Sequence, residues 1–234
     1  MKFRLPRQEI DQELIKLGCK KLKQNKIRVP RATSKTLKEL HAIIKEIEQN
    51  GLPQYLVIKK LKKGLGHGLF LHPKTKPILK GELIAPYSGE VFLFPQNDED
   101  DTDYAFALIS DLHLTRQEQL VWDPNHRYHP RRLYSIDLDA RKKGNFTRFI
   151  NHSNQPNIEA KFVRIPRNSL GLAPAPFELL YVAKKTIRPG EQLLISYEPE
   201  EKNYWGVTNI KPFPMTPKTF KLTPSLQVVL NKNS

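Results

Sequence analysis

The spacing of short apolar segments after residue 54 constrains the fold more than any other feature. From Tyr55 onward, short runs rich in β-branched and aromatic residues alternate with Gly and Pro, and few helical windows interrupt them. Such runs are typical of strands. Because regular alternation of strands and helices is missing, we do not expect a doubly wound nucleotide-binding fold. The pattern predicts a mainly β, α+β fold built from several small sheets.

The individual elements follow from these runs and from helical periodicity. Strands are expected at 55–61, 69–71, 82–86, 90–94, 104–108, 133–137, 158–165, 177–183 and 192–197. Helices are expected at 8–22, 36–50 and 115–121. In the second helix, Thr36 and Glu39 have the spacing of a capping box, and Gly51 and Pro53 end the apolar stripe. This stripe must pack on the core or on another protomer.

Charge divides the chain into three regions. Residues 1–63 hold 17 Lys and Arg against 6 Asp and Glu, residues 64–206 hold 18 of each, and residues 207–234 hold 4 against none. We therefore predict a basic helical region at 1–54, a domain at 55–206 that is neutral from residue 64 onward, and an extended, Pro-containing basic tail at 207–234. A basic end is either a solvated surface or a binding surface for an acidic partner such as nucleic acid.

Composition excludes several classes of protein. No apolar run is long enough to cross a membrane, and the N-terminus lacks the apolar region of a secretory signal. The single cysteine, Cys19, allows neither an internal disulfide nor a cysteine-rich zinc site. His67, His126 and His129 have no partners at the spacing of metal ligands, so we expect no metal.

One segment is polar where a folded chain is usually apolar. Residues 148–157 read Arg-Phe-Ile-Asn-His-Ser-Asn-Gln-Pro-Asn. Asn and Ser side chains bond readily to nearby backbone, so this segment suits a tight irregular loop. Such loops often carry functional sites, although a capped turn between two elements is the alternative.

Further motifs lie on both sides of this segment. The alternate glycines of Gly66-His67-Gly68 permit positive φ and close approach of the backbone to a ligand, or simply form a hairpin turn. No Gly-Lys-Ser/Thr and no amphipathic helix follow them, which excludes a P-loop and a dinucleotide-binding fingerprint. The remaining motifs are Tyr87-Ser88-Gly89-Glu90, Gly144-Asn145 and the run from Gly190-Glu191 to Tyr197.

In this order, the motifs resemble the SET domain of protein-lysine methyltransferases. The resemblance runs from about 56 to 206, and the small basic chain without cysteine-rich flanks is most similar to the chlamydial-type bacterial SET proteins. It implies small curved sheets in which segment 148–157 passes under a loop formed by 190–197. This knot-like threading would bring Asn151 and His152 beside Tyr197.

The resemblance also implies roles for single residues. Tyr197 and Tyr104 would be the catalytic tyrosines, and Tyr104 would line the lysine channel. The residues implied to hold S-adenosylmethionine are Gly66, His67, Gly68, Leu69, Tyr104, Arg148, Asn151, His152, Tyr197 and Trp205.

The reaction needs a neutral lysine amine, whose pKa of about 10.4 would be lowered by an aromatic channel and by the nearby sulfonium. Tyr197, a phenol with a pKa of about 10, would orient this amine rather than act as a base.

Three positions depart from the usual family pattern. Asn154 stands where members often have Cys, and Ser196 replaces the common Asp before the tyrosine. Ile195 stands where an aromatic residue commonly influences the number of methyl groups added. Its smaller side chain favours multiple methylation.

An acidic run suggests the class of substrate. Asp98, Asp100, Asp101 and Asp103 directly precede Tyr104. The run is either a solvated loop or an attractive surface for a basic protein, such as a histone or a histone-like DNA-binding protein. The basic N-terminal region could contact DNA beside that substrate, and helix 36–50 could form a homodimer.

Two other functions stay open. One is a non-catalytic SET-fold module that binds chromatin or DNA through the basic ends. The other is a structural protein that docks on a partner through helix 36–50. Retention of Tyr104 and Tyr197 favours the enzyme, because a module that only binds needs no tyrosine channel. The expected location is the bacterial cytoplasm, with delivery into a host cell and its nucleus as the alternative.

Overall fold

The computed structural model describes residues 7–24, 29–61, 66–96, 105–165 and 177–197. The chain forms two compact units. Unit 1 comprises Met1–Ala32, Ser88–Gly144 and Phe162–Leu179, and unit 2 comprises Thr33–Tyr87, Asn145–Lys161 and Leu180–Ser234. Because each unit is assembled from three separate segments, contacts between residues far apart in sequence hold it together.

The described elements are short, and strands outnumber helices. In chain order they are α1 (Arg7–Gln24), α2 (Ser34–Asn50), β1 (Leu56–Lys60), β2 (His67–Leu71), β3 (Leu83–Pro86), β4 (Glu90–Pro95), β5 (Ala105–His113), α3 (Arg116–Trp122), β6 (Leu133–Asp139), α4 (Ala140–Lys143), a 3₁₀ turn (Phe146–Phe149), β7 (Asn151–His152), β8 (Ile158–Arg164), β9 (Phe177–Ala183) and β10 (Leu194–Ile195). Three small sheets result, as the sequence predicts.

In unit 1, α1 packs on an antiparallel three-stranded sheet with the order β4-β6-β5. Leu14 and Leu17 of α1 are buried in one cluster with Ile109 of β5 and Ile136 of β6. A Cβ on Gly18 would lie 2.5 Å from the Ile109 side chain and 2.9 Å from that of Ile136. Any larger residue at position 18 would therefore force the ends of these two isoleucine side chains to move.

In unit 2, α2 packs on β3 and buries Leu40 and Ile43 of its apolar stripe. The helix begins two residues before the predicted start, because Thr33 is its N-cap and accepts a bond from the backbone of Thr36. The predicted cap at Thr36 is therefore wrong by one turn. Gly51 ends the helix with φ of +70°, as predicted.

Two further sheets place the polar segment. Strands β1 and β2 form an antiparallel pair, and a five-stranded sheet has the order β3-β9-β8-β10-β7. Strand β10 pairs in parallel with β7, where Leu194 lies opposite Asn151, and with β8, where Ile195 lies opposite Ile158. A late segment of the chain thus lies between two strands that follow one another in sequence. This is the threading that the resemblance implies.

The remaining predictions of elements hold within a few residues, with two exceptions. Strand β5 continues to His113, well past the predicted end at 108. The strand expected at 192–197 is only two residues long, Leu194–Ile195. The short elements α4, β7 and the 3₁₀ turn were not predicted, because side-chain hydrogen bonds rather than apolar periodicity define them. Asp139 and Asn145 each accept a bond from the backbone two residues later. None of the helices within the described ranges is long and apolar enough to cross a membrane.

Candidate functional site

Asn157 connects the polar segment 148–157 to the late segment that contains β10. Its side chain is fully buried, and its Nδ2 donates to the carbonyl of Gln192 at 2.7 Å while its Oδ1 accepts from the backbone N–H of Leu194 at 2.8 Å. Its own N–H donates to the Leu194 carbonyl at 3.0 Å. One amide therefore satisfies two buried backbone groups of the late segment and fixes its register.

His152 links this segment to Tyr197. The backbone N–H of Tyr197 donates to His152 Nδ1 at 3.0 Å, and the two rings lie 5.4 Å apart. Because Nδ1 accepts this hydrogen bond, the neutral ring carries its hydrogen on Nε2, which lies 2.9 Å from Asn154 Oδ1. Asn154, one of the departures from the family pattern, thus fixes the tautomer that holds Tyr197. The predicted proximity of His152 and Tyr197 is confirmed.

The phenol of Tyr197 lies at the surface of unit 2. Its hydroxyl donates to the carbonyl of Ile150 at 2.9 Å, and the residue is 40% exposed. A donating hydroxyl retains lone pairs that accept hydrogen bonds from a ligand. Tyr197 is therefore held at its backbone and at its hydroxyl while part of the ring faces solvent.

Asn151 joins the polar segment to β2. Its Nδ2 donates to the carbonyl of His67 at 2.9 Å. The His67 ring contacts the edge of Phe149 at 6.0 Å, and the Arg148 guanidinium lies 5.1 Å from the centre of the same ring. The predicted residues His67, Arg148 and Asn151 therefore lie together around Phe149.

The two glycines beside His67 are glycine for different structural reasons. Gly66 has φ of +65°, and no atom among the described residues lies within 4 Å of a Cβ built there, its chain neighbours aside. Gly68 is crowded instead, because its Cβ would lie 2.7 Å from Gln192 Nε2. Among the described residues Gly66 is therefore uncrowded, whereas Gly68 makes room for a side chain of the late segment.

Two tyrosines that the sequence analysis did not assign to the site pack together. Tyr87 follows β3 and Tyr181 lies in β9 opposite Ala85, and their ring centres are 5.4 Å apart. Tyr181 is 3% exposed, and burial raises its pKa well above the ordinary value, with smaller contributions from Tyr87 and Tyr197. Among the described residues its hydroxyl has no hydrogen-bond partner. The alternation of side chains along β9 could have indicated which residues face the core. Sequence alone, however, does not place Tyr181 near Tyr87.

The other predicted residues divide into two groups. Leu69 and Ile195 are buried in unit 2, at 0% and 2% exposure. Tyr104, Trp205 and the acidic residues Asp98, Asp100, Asp101 and Asp103 lie outside the described residues. Within the described ranges, no group of three or more His, Cys, Asp or Glu side chains could hold a metal ion.

Comparison with known proteins identifies the fold family. The SET domain matches residues 66–198. The histone-lysine N-methyltransferase, H3 lysine-4 specific, of Schizosaccharomyces pombe is 28% identical over 123 residues, which are 52% of this chain and 11% of that protein. The histone-lysine N-methyltransferase Su(var)3-9 of Drosophila pseudoobscura pseudoobscura is 26% identical over 156 residues, 64% of this chain and 21% of that one. The chain spans about a tenth to a fifth of the length of these relatives.

A solved structure supports the same assignment. The ATXR5 SET domain in complex with histone H3 has a TM-score of 0.53 and 19% identity, and the match covers 75% of this chain and 72% of that one. At this identity the likeness shows a shared fold. Strand β10 lies between β7 and β8, His152 holds Tyr197, and the family match covers more than half of the residues. The chain belongs to the SET-domain family.

Proposed function

We propose that this protein is an S-adenosylmethionine-dependent protein-lysine N-methyltransferase. The observation that carries the proposal is the insertion of β10 between β7 and β8, which holds Tyr197 against His152 and the Ile150 carbonyl. Relatives named as histone-lysine N-methyltransferases support the same class of activity.

The residues around Gly66 fit the cofactor. The described atoms leave open space beyond Gly66, and the nearby polar groups of His67 and Asn151 are fixed by their mutual hydrogen bond. Such backbone and amide groups suit the charged amino-acid end of S-adenosylmethionine. When bound, the cofactor supplies an electrophilic methyl group on a positively charged sulfur. Gly66, His67, Arg148 and Asn151 would hold it.

The tyrosines of unit 2 prepare the lysine amine. Tyr87 and Tyr181 are buried aromatic walls, and Tyr197 is a fixed hydroxyl that still has acceptor capacity. Apolar walls remove water from an ammonium group and lower its pKa, so a larger fraction of the lysine is the neutral nucleophile. The Tyr197 oxygen orients the amine and accepts weak bonds from polarised C–H groups. The proton that leaves the amine passes to solvent.

The number of methyl groups added to the substrate lysine depends on the space beside its amine. The small Ile195 side chain favours multiple methylation. Tyr181 favours the early steps, because its hydroxyl, which has no hydrogen-bond partner among the described residues, accepts a hydrogen bond from an amine that still carries N–H groups. A neutral dimethylated lysine has no N–H left to make this bond.

Tyr181→Phe should therefore favour the later methylation steps. We expect the ratio of kcat/KM for a dimethylated peptide to that for the unmethylated peptide to rise about tenfold, the value of one hydrogen bond. The peptides would carry the lysine that the wild type labels. Tyr55→Phe, which removes a largely buried phenol elsewhere in unit 2, is the control and should leave the ratio unchanged. An unchanged ratio in Tyr181→Phe would remove Tyr181 from this role.

The proposed substrate is a basic protein such as a histone. The acidic run before Tyr104 supplies charge complementary to a Lys-rich tail. For the double variant Asp100→Asn with Asp101→Asn, we expect KM for a histone H3 tail peptide to rise several-fold and kcat to change little. Attraction that acts before the chemical step changes binding more than turnover.

A matched variant controls for the loss of two charges. Glu39→Gln with Glu48→Gln removes the same charge from α2 and should leave KM within about twofold, because surface charges act weakly at a distance in salt. Equal KM values for the two double variants would mean that the acidic run does not bind the substrate.

The second candidate function is a non-catalytic SET-fold module that binds chromatin or DNA. The charge of the basic ends favours it, and a DNA contact or a homodimer through α2 is compatible with either candidate. Tritiated S-adenosylmethionine with core histones distinguishes the two. Transfer of label to histone supports the enzyme, whereas calorimetric binding of S-adenosylhomocysteine without transfer supports the module.

A further inference from the structure

The loop between α3 and β6 is strongly basic and has no role in the proposed reaction. Residues 123–132 read Asp-Pro-Asn-His-Arg-Tyr-His-Pro-Arg-Arg, with three Arg and two His against one Asp. The loop belongs to unit 1. Its composition alone is equally consistent with a solvated surface and with a binding surface. The geometry of the loop distinguishes the two.

A buried glutamine holds the backbone of this loop in place. Gln119 of α3 is 2% exposed, and its Nε2 donates to the carbonyl of His126 at 3.0 Å. The backbone N–H of His129 donates to the Oε1 of the same side chain at 3.3 Å. Both ends of the segment 126–129 are thus fixed to one buried amide.

The single acidic residue of the loop is occupied internally. Asp123 accepts a hydrogen bond from the Tyr134 hydroxyl at 3.0 Å and contacts His126 Nδ1 at 2.5 Å. Arg132 lies 3.7 Å from the same carboxylate. Burial and this carboxylate raise the pKa of Tyr134 to about 12, so the phenol stays protonated and keeps donating. The negative charge of Asp123 is therefore paired within the base of the loop.

The outer side chains present free cations. Arg127, Tyr128 and Arg131 are exposed, and within the described part of the chain neither arginine forms an ion pair. Lys23 and Arg116 add two exposed positive charges to unit 1. Glu118 does not offset them, because it is bonded to Lys20 and Lys21, which lower its pKa to about 2 against the effect of its burial.

We propose that the loop 123–132 is a binding surface for the phosphate backbone of duplex DNA. Arginine binds phosphate oxygens through two parallel N–H groups, and a tyrosine hydroxyl is a further common donor to phosphate. A loop already fixed by Gln119 loses little conformational entropy when it binds. The dense charge of a duplex matches several guanidinium groups at once, and the net charge of +15 attracts it from a distance. This surface is separate from the proposed catalytic function, and its test requires no methyl transfer.

The test measures the affinity of the full chain for a fluorescent DNA duplex by anisotropy over a range of salt concentrations. For Arg127→Ala with Arg131→Ala, we expect about tenfold weaker binding near 100 mM NaCl and a slope of log K against log salt that is shallower by about 2. Two phosphate contacts account for this change in slope.

Two further variants separate the loop from total charge. Lys184→Ala with Lys185→Ala removes two exposed charges from the turn that follows β9, outside both basic ends, and should leave the slope unchanged. Gln119→Leu keeps every charge but releases the loop, and we expect several-fold weaker binding. The proposal is wrong if the wild type does not bind the duplex, or if the arginine and lysine variants lose affinity equally. Wild-type affinity in Gln119→Leu would contradict the role of the fixed backbone.

Discussion

Tyr197→Phe is expected to reduce methyl transfer to histone about 100-fold or more while the fold is retained. The substitution removes only the hydroxyl, which the structure fixes against the Ile150 carbonyl at 2.9 Å. Loss of one prepositioned hydrogen-bonding group at a reacting centre costs about 10²–10³ in kcat. The stability cost is smaller, about 0.5–1.5 kcal/mol for one hydrogen bond.

The measurement is the initial rate of label transfer from tritiated S-adenosylmethionine, with thermal unfolding of each variant as the check on folding. Tyr128→Phe is the matched control, because Tyr128 is 38% exposed against 40% for Tyr197 but lies on a loop of unit 1. We expect this control to retain the wild-type rate. Wild-type activity in Tyr197→Phe would remove Tyr197 from the catalytic centre.

Asn157→Ala is expected to lower the free energy of unfolding by about 3 kcal/mol or more. The truncation leaves the Gln192 carbonyl and the Leu194 N–H without partners in a fully buried place. Each buried unsatisfied group costs about 1–3 kcal/mol. Urea unfolding followed by circular dichroism measures the change. Gln155→Ala, an exposed change in the same segment, should stay within about 0.5 kcal/mol of the wild type.

Asn151→Ala separates a loss of fold from a loss of cofactor binding. Asn151 is only half-buried and donates one hydrogen bond, to the His67 carbonyl, at less than 3 Å. We expect a stability loss of about 1 kcal/mol and at least tenfold weaker binding of S-adenosylhomocysteine by calorimetry. If Asn157→Ala were as stable as Asn151→Ala, the threaded segment would not depend on the buried amide.

The class of fold could be predicted because local signals were strong, and the contact at the centre of the site because the order of the motifs resembles one family. Gly and Pro between short β-branched runs indicated small sheets, and the order of the motifs indicated which segments meet. The contact between His152 and Tyr197 joins residues 45 positions apart, so it followed from the resemblance and not from periodicity.

The rest depends on contacts that no local pattern encodes. Gly68 is small because the Gln192 side chain, far away in sequence, occupies the space beside it. In sequence Asn154 is only a departure from the family pattern, whereas in the structure it bonds the ring that holds Tyr197. The two N-terminal helices follow one another in the predicted region 1–54, whereas α1 packs in unit 1 and α2 in unit 2. In each case the partner is set by packing, which the sequence does not display.

We propose above all that this chain transfers a methyl group to lysine at Tyr197. The most direct measurement is amino-acid analysis of core histones after incubation with tritiated S-adenosylmethionine and the wild-type protein. We expect the label in Nε-methylated lysine, and about 100-fold less of it with Tyr197→Phe. Label in methylarginine, or a folded wild-type protein that labels no histone, would contradict the account.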